Sequence, residues 1–348
     1  MDISHWLPNE LLLHIIQHTP KADQAALSRV AKRFHELCLP ALNREVELKD
    51  SRFIASFCSG IIDNPSRADA VRSFNITVDF SEIRRDLILE TLKLMSRLEY
   101  LSLSRFMSDD HHNRILLEEC NFPQLISCNL SFPTSLSDLT ALFLTRHPTL
   151  KRVHLRSDPR MVASQSPRIS LPNLEFYAGQ ALFIPRIDAV RLKVELDWSH
   201  TDDPDVNKIM TRISSMTNPK LPFVSSSDNH HQIVISVSTH MPHTRTLRLR
   251  RSRMYFFFSS VNHDEDMIYH ITECLPGFTN LVYLAIDWVP HQSKAENWSA
   301  VERLVEACPT LEACYSNRYA WRKVNGRWEE CELEEFEVLA GPPNSTDY

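Results

Sequence analysis

The chain has 348 residues, 43% hydrophobic and 24% charged, which is the composition of folded domains with a sizeable core and not of a disordered segment. A formal net charge of −6 argues against a dedicated nucleic-acid binder, which is usually basic overall. The five glycines, Gly60, Gly179, Gly277, Gly326 and Gly341, are too scattered to build a phosphate-cradling loop, which removes P-loop and dinucleotide-binding readings.

The first residues, MDISHWLPNE, lack the basic and apolar regions of a secretory signal, and no run approaches the roughly 18 apolar residues of a membrane span. Cytoplasm or nucleus is the expected location, with no membrane partner. Eight cysteines without a C-x-x-C pair read as buried free thiols in a reducing compartment. The N-x-S/T triplets at Asn75, Asn129, Asn297 and Asn344 then read as chance matches.

In residues 7–42, Pro8 marks a helix start, and Leu11, Leu12, Ile15 and Ile16 follow at helical spacing until Thr19-Pro20 breaks the run. Ala25, Ala26, Leu27, Val30, Phe34 and Leu37 form a second apolar pattern. Three short helices in some forty residues bury little surface alone, and this unit has more apolar positions than its own core needs. The surplus points to a partner face.

The stretch resembles an F-box, on Leu7, Pro8, Glu10, Leu11, Leu12, Ile15, Ile16, Leu27, Ser28, Val30, Lys32, Arg33 and Phe34. Thr19 stands where a leucine is usual, and Phe34 where tryptophan is commoner. The resemblance implies an F-box over residues 3–48 that docks on a Skp-type adaptor and through it on a cullin scaffold. Leu7, Pro8, Leu11, Ile15, Ile16, Leu27, Val30 and Phe34 would supply the contact. The alternative is a helical cap with no partner of its own.

Further along, a phrase recurs. Leu98, Leu101, Leu103 fit L-x-x-L-x-L, as do Leu125, Cys128, Leu130; Leu150, Val153, Leu155; and Leu281, Leu284, Ile286. Looser matches begin at Val71, Leu174, Ile187 (with Val190 and Leu192), Thr244 and Leu311. Early intervals of about 24–27 residues fall in the leucine-rich-repeat range. Proline stands two residues before the first position at Pro123, Pro148, Pro172, Pro242 and Pro309, marking handovers from helix to strand. Helices are predicted between the strands, around Asp86–Arg97, Ser137–Arg146 and Asp264–Leu275, and beyond a Ser299–Glu302 capping box.

Strand, loop and helix, repeated, predict an α/β chain. Its three-helix F-box would be followed by a linker or first helix over 49–70 and an irregular leucine-rich-repeat horseshoe over 71–318. The alternative is an ordinary α/β domain. Residues 319–348 would form a cap, with a hairpin turning at Asn325-Gly326 and an acidic run from Glu329 to Glu337 as a solvated face. An F-box before degenerate repeats resembles an arrangement abundant in fungi.

In each phrase the residues alternating with the leucines face the other way. Arg152, His154, Arg156, Arg191, Lys193, Arg248 and Arg250 thus fall on the expected inner face, where they could read an acidic or phosphorylated target. Ordinary solvated strand residues with acidic neighbours such as Glu195 and Asp197 are the equal alternative. Asp109–His112 and Asp228–His231 lack zinc-site spacing, so neither metal nor cofactor is expected. Tyr255–Phe258 could stack bases but reads better as a buried segment. The expectation is a non-catalytic substrate receptor of a cullin-type ubiquitin ligase. Its rivals are a non-ligase repeat scaffold and a hydrolase with a spatially assembled triad.

Overall fold

The computed structural model describes residues 7–77, 84–103, 110–132, 137–157, 168–190, 192–198, 206–216, 222–227, 231–250, 264–287 and 293–341. The chain divides into two compact units, residues 1–158 with 163–173, and residues 159–162 with 174–348. Both are mixed α/β.

The first unit opens with α1 (Asn9–Gln17), α2 (Lys21–Leu27) and α3 (Lys32–Arg44). It continues through β1 (Glu45–Leu48), α4 (Ser51–Asp63), β2 (Ser73–Ile76), α5 (Arg85–Leu94), β3 (Tyr100–Leu103) and α6 (Asp110–Glu119). It ends with β4 (Ser127–Phe132), α7 (Ser137–Thr145), β5 (Arg152–Ser157) and the two-residue β6 (Ile169–Ser170). Strands β1 to β5 pair in chain order, all parallel. Alternation along each strand buries one side. Val46, Phe74, Leu101, Cys128 and Val153 stand in one row, and Leu48, Ile76, Leu103, Leu130 and Leu155 in the next. Consecutive helices α4 to α7 pack on one another. The sheet therefore starts at Glu45, within the segment that reads as F-box, and the expected linker is mostly α4.

The recurrent proline has a geometric reason. Pro123 and Pro148 each occupy the second position of a four-residue turn closed by the first and fourth residues, Leu125 N–H to Phe122 O and Leu150 N–H to His147 O. Proline's fixed φ suits that position. The next residue ties the turn to the preceding repeat: the Thr149 hydroxyl donates to Leu125 O at 2.8 Å. Then one carbonyl takes two donors from the following strand, as Glu99 O does from Ile126 and Ser127, and Ile126 O from Lys151 and Arg152.

The second unit holds β7 (Phe176–Gln180), β8 (Ile187–Asp188), β9 (Lys193–Asp197), α8 (Val206–Met216), β10 (Phe223–Ser226), α9 (His231–His240) and β11 (Thr246–Arg250). After these come α10 (Asp264–Cys274), β12 (Tyr283–Asp287), α11 (Lys294–Ala307), β13 (Ala313–Ser316), β14 (Tyr319–Val324), β15 (Arg327–Cys331) and α12 (Leu333–Ala340). Strands β7, β9, β10, β11, β12 and β13 pair in that order in parallel, and β14 and β15 extend the sheet antiparallel. The turn grammar returns, with Leu311 N–H to Cys308 O, and Thr310 Oγ1 donating to Leu281 O at 2.6 Å.

Three expectations change. The phrase at Ile187, Val190, Leu192 is not the strand of its repeat: Val190 is exposed, and the paired strand is β9, with Val194 and Leu196 buried. Between 222 and 240, where no phrase and no helix is predicted, the chain forms a further strand and helix, β10 and α9. The capping box exists six residues earlier than expected, where Ser293 Oγ accepts from Glu296 N and the Glu296 carboxylate accepts from Ser293 N.

The Asn325-Gly326 turn forms as its dipeptide predicts, with φ of 51° and 81° between β14 and β15. A second two-residue turn, Asn317-Arg318, joins β13 to β14 with positive φ at both residues. Asn297 secures it: its fully buried Oδ1 accepts from Ser316 Oγ and Asn317 Nδ2, both at 2.9 Å. The amide of that N-x-S triplet is thus interior.

Candidate docking surfaces

The N-terminal helices are held from inside by few residues. Leu12, Ile16 and Cys38 are buried among them. Gln24, also buried, donates through Nε2 to Ile16 O and Thr19 O, both at 2.8 Å, closing the open carbonyl end of α1. Arg33 reaches back from α3, donating to Leu7 O at 2.8 Å and to Asn9 Oδ1 at 2.8 and 3.1 Å. Lys21 Nζ donates to Glu45 O at 2.5 Å, fastening the helices to the start of β1. The Gln24 and Arg33 roles are not visible in an apolar pattern, because their partners are backbone groups.

Outside lies an apolar stripe. Leu11 and Ile15, four residues apart on one helical face, are 53% and 54% exposed. Val30, between α2 and α3, is 71% exposed. Pro8 is exposed, and Leu7, Leu27 and Phe34 are half-buried. Ile16 departs from the expected contact set: at 1% exposure it belongs to the interior, because α1 turns Leu12 and Ile16 inward and their neighbours outward.

Residues 6–48 match the F-box-like family. F-box domains bind Skp-type adaptors, which places this part of the chain in a ubiquitin-ligase adaptor role in general terms. No curated protein matches the chain. The F-box-like domain therefore combines a small sealed core with large aliphatic side chains left at water.

The second surface is the strand face opposite the buried rows. In the first unit, β1 to β5 line up Glu45, Ser73, Tyr100, Ser127 and Arg152 in one row. Glu47, Asn75, Ser102, Asn129 and His154 form the next, and Ser131 faces Arg156. Glu45, Glu47, Tyr100, Arg152 and Arg156 are exposed, and the others are half-buried.

In the second unit α12 covers part of the corresponding face, while Asp287 on β12 is exposed. Arg248, 3% exposed, forms a two-pronged pair with Glu337 of α12, at 2.9 Å to Oε1 and 2.6 Å to Oε2, and also donates to Gly341 O. Its guanidinium lies over the Phe336 ring, 5.6 Å from the centroid. Phe336 and Ala340 are buried against Tyr283, Ala285, Ala313 and Ala320. Burial first, then the carboxylates of Asp287 and Glu337, push the neighbouring Tyr315 phenol up to about 12. Arg250 donates to Glu195 Oε1 at 2.8 Å, and Lys193 is half-buried. Arg191 lies outside the described residues, as do Tyr255–Phe258, Asp109 and Asp228–His230.

Arg248 is thus corrected from target-binding candidate to interior clamp, and part of the expected solvated acidic run supplies its partner. Arg250 likewise has an acidic partner within its own sheet. On β5 of the first unit Arg152 and Arg156 are exposed and His154 is half-buried.

Burial raises the pKa of all eight thiols, Cys120 and Cys128 to about 12. That is opposite to the activation a nucleophilic cysteine needs. Among the described residues no group of three metal-ligating side chains converges, and no helix is long and apolar enough to cross a membrane.

Proposed function

We propose that this chain is the substrate-recognition subunit of a cullin-based (SCF) ubiquitin ligase. Its F-box-like domain docks on the Skp-type adaptor, and its strand–helix units act as degenerate leucine-rich repeats that hold the target protein. The observation that carries this reading is the exposure of Leu11, Ile15 and Val30 on a domain already sealed by Leu12, Ile16 and Gln24. Burying a large aliphatic side chain against partner helices contributes about 1.5–3 kcal/mol, so three such residues support a stable docking face. The chain supplies proximity and other subunits perform ubiquitin transfer; the elevated thiols are in keeping with this. It works in the cytoplasm or nucleus, and the open face bearing Arg152, His154 and Arg156 receives an acidic or phosphorylated segment.

Co-purification with a Skp-type adaptor and its cullin tests the reading. The wild-type chain is expected to retain both, and the double variant Leu11→Asp, Ile15→Asp to retain neither while keeping its thermal transition. A folded wild-type chain that retains no adaptor overturns it in favour of the non-ligase scaffold, whose F-box-like helices only cap the first unit.

A further inference from the structure

The open strand face of the first unit carries an ordered separation of charge. At one end β1 presents two exposed carboxylates, Glu45 and Glu47. The middle strands present hydroxyls, amides and one phenol: Ser73 and Asn75, Tyr100 and Ser102, then Ser127, Asn129 and Ser131. At the other end β5 presents Arg152, His154 and Arg156. Among the described residues, no charged side chain alternates onto this face on β2, β3 or β4.

Partial pairing does not erase the pattern. Glu47 lies 3.2 Å from Lys49, but both side chains are at least half exposed, where an ion pair is weak and readily exchanged. Asn129 Nδ2 donates to Ser102 Oγ at 3.4 Å, which keeps the centre polar without charging it. Tyr100 adds an exposed aromatic surface in the middle of the strip.

Resting on the receptor reading, we infer that this face binds an extended peptide segment running across the strands. The segment carries a lysine or arginine at the β1 end and a carboxylate or phosphate at the β5 end. Neighbouring strands lie about 4.8 Å apart, so β1 and β5 are separated by about 19 Å. An extended chain rises about 3.3 Å per residue, which sets the two charges about six residues apart. Small neutral residues between them meet the serine and asparagine rows, and the arginines offer forked donors to the anion. The equivalent face of the second unit is excluded as this site, since α12 covers Arg248 there.

The test uses the full-length chain and immobilised nine-residue peptides of glycine and serine. Each contains one lysine and one phosphoserine, separated by two to seven positions in both orders, with a parallel set carrying glutamate for phosphoserine. Retention is expected to peak at a separation of about six. Retention of both sets assigns an acidic target, and of the phosphoserine set alone a phosphorylated one. Arg152→Glu and Arg156→Glu should each weaken capture about tenfold, the loss of one charge-assisted contact. Glu45→Lys with Glu47→Lys should weaken capture of lysine peptides but not of peptides with serine in place of lysine. No retention by the wild-type chain, retention indifferent to separation, or retention unmoved by these reversals overturns the inference. Adaptor capture is scored on the same preparations. Adaptor binding without peptide selectivity removes this inference alone, and peptide selectivity without adaptor binding removes the receptor reading alone.

Discussion

On β5 of the first unit the residues alternating with the core leave Arg152 and Arg156 at water, whereas on β11 of the second the same alternation puts Thr246 and Arg248 beneath α12. The two strands read almost alike, Arg-Val-His-Leu-Arg and Thr-Leu-Arg-Leu-Arg. Local sequence fixes the pleat and the inward side of each. What covers the outward side is decided by Glu337, 89 residues beyond Arg248. One unit keeps a polar face open, and the other covers part of it with a second small core around Phe336.

The largest effect that would sharpen this contrast is Phe336→Ala. Removing a fully buried ring should cost about 3–5 kcal/mol, measured as a shift of the urea midpoint. Glu337→Ala should cost a comparable amount, since it leaves the Arg248 charge buried without its carboxylate. In the first unit Tyr100→Ala, on the face that stays open, should change stability by less than about 0.5 kcal/mol. Equal losses at Phe336 and Tyr100 would break the distinction between the two faces.

A smaller effect separates the units by pH. His147 and Cys308 occupy the same place in their turn phrases, ahead of Pro-Thr-Leu. His147 is buried; its Nε2 accepts from Phe122 N–H at 3.0 Å and its Nδ1–H donates to Phe143 O at 2.6 Å. Burial first, then the nearby Arg146 charge, hold its pKa below the ordinary 6.5, outweighing the Phe143 hydrogen bond. Below about pH 6.5 the unfolded chain therefore binds more protons than the folded one. The stability from neutral His147 is complete above that pH and lost as pH falls through the window beneath it. Unfolding in urea at pH 7.5 and 5.5 should show an acid loss in the wild type that is smaller in His147→Cys. An equal loss in both would place the acid sensitivity elsewhere.

Much of the architecture is legible because its signals are local. The prolines mark turns whose φ they match, the aligned leucines form the buried rows, and Asn325-Gly326 makes its turn. The repeat containing β10 is hidden because Lys220 stands at the leading leucine position and Ser225 where its neighbours carry leucine, and Ser225 is nonetheless fully buried between Leu196 and Leu249. The phrase at Ile187 misleads because Arg191 breaks the real one, leaving Val194 and Leu196 without their leading leucine. In the F-box-like domain the adjacent pairs Leu11-Leu12 and Ile15-Ile16 are chemically equivalent, so composition alone cannot assign Ile16 to the interior and Ile15 to the surface. Arg248 is the hardest case, since its partner is distant in the chain.

The central claim is that apolar exposure on the F-box-like domain is a docking face and not incidental. Calorimetric titration of a Skp-type adaptor into three forms tests it most directly: wild type, Ile15→Asp, and Val338→Asp on α12, where Val338 is 83% exposed. The account predicts that Ile15→Asp weakens binding by about 100-fold or more while Val338→Asp leaves it unchanged. Equal affinity for all three, or no binding by the wild type, would contradict it.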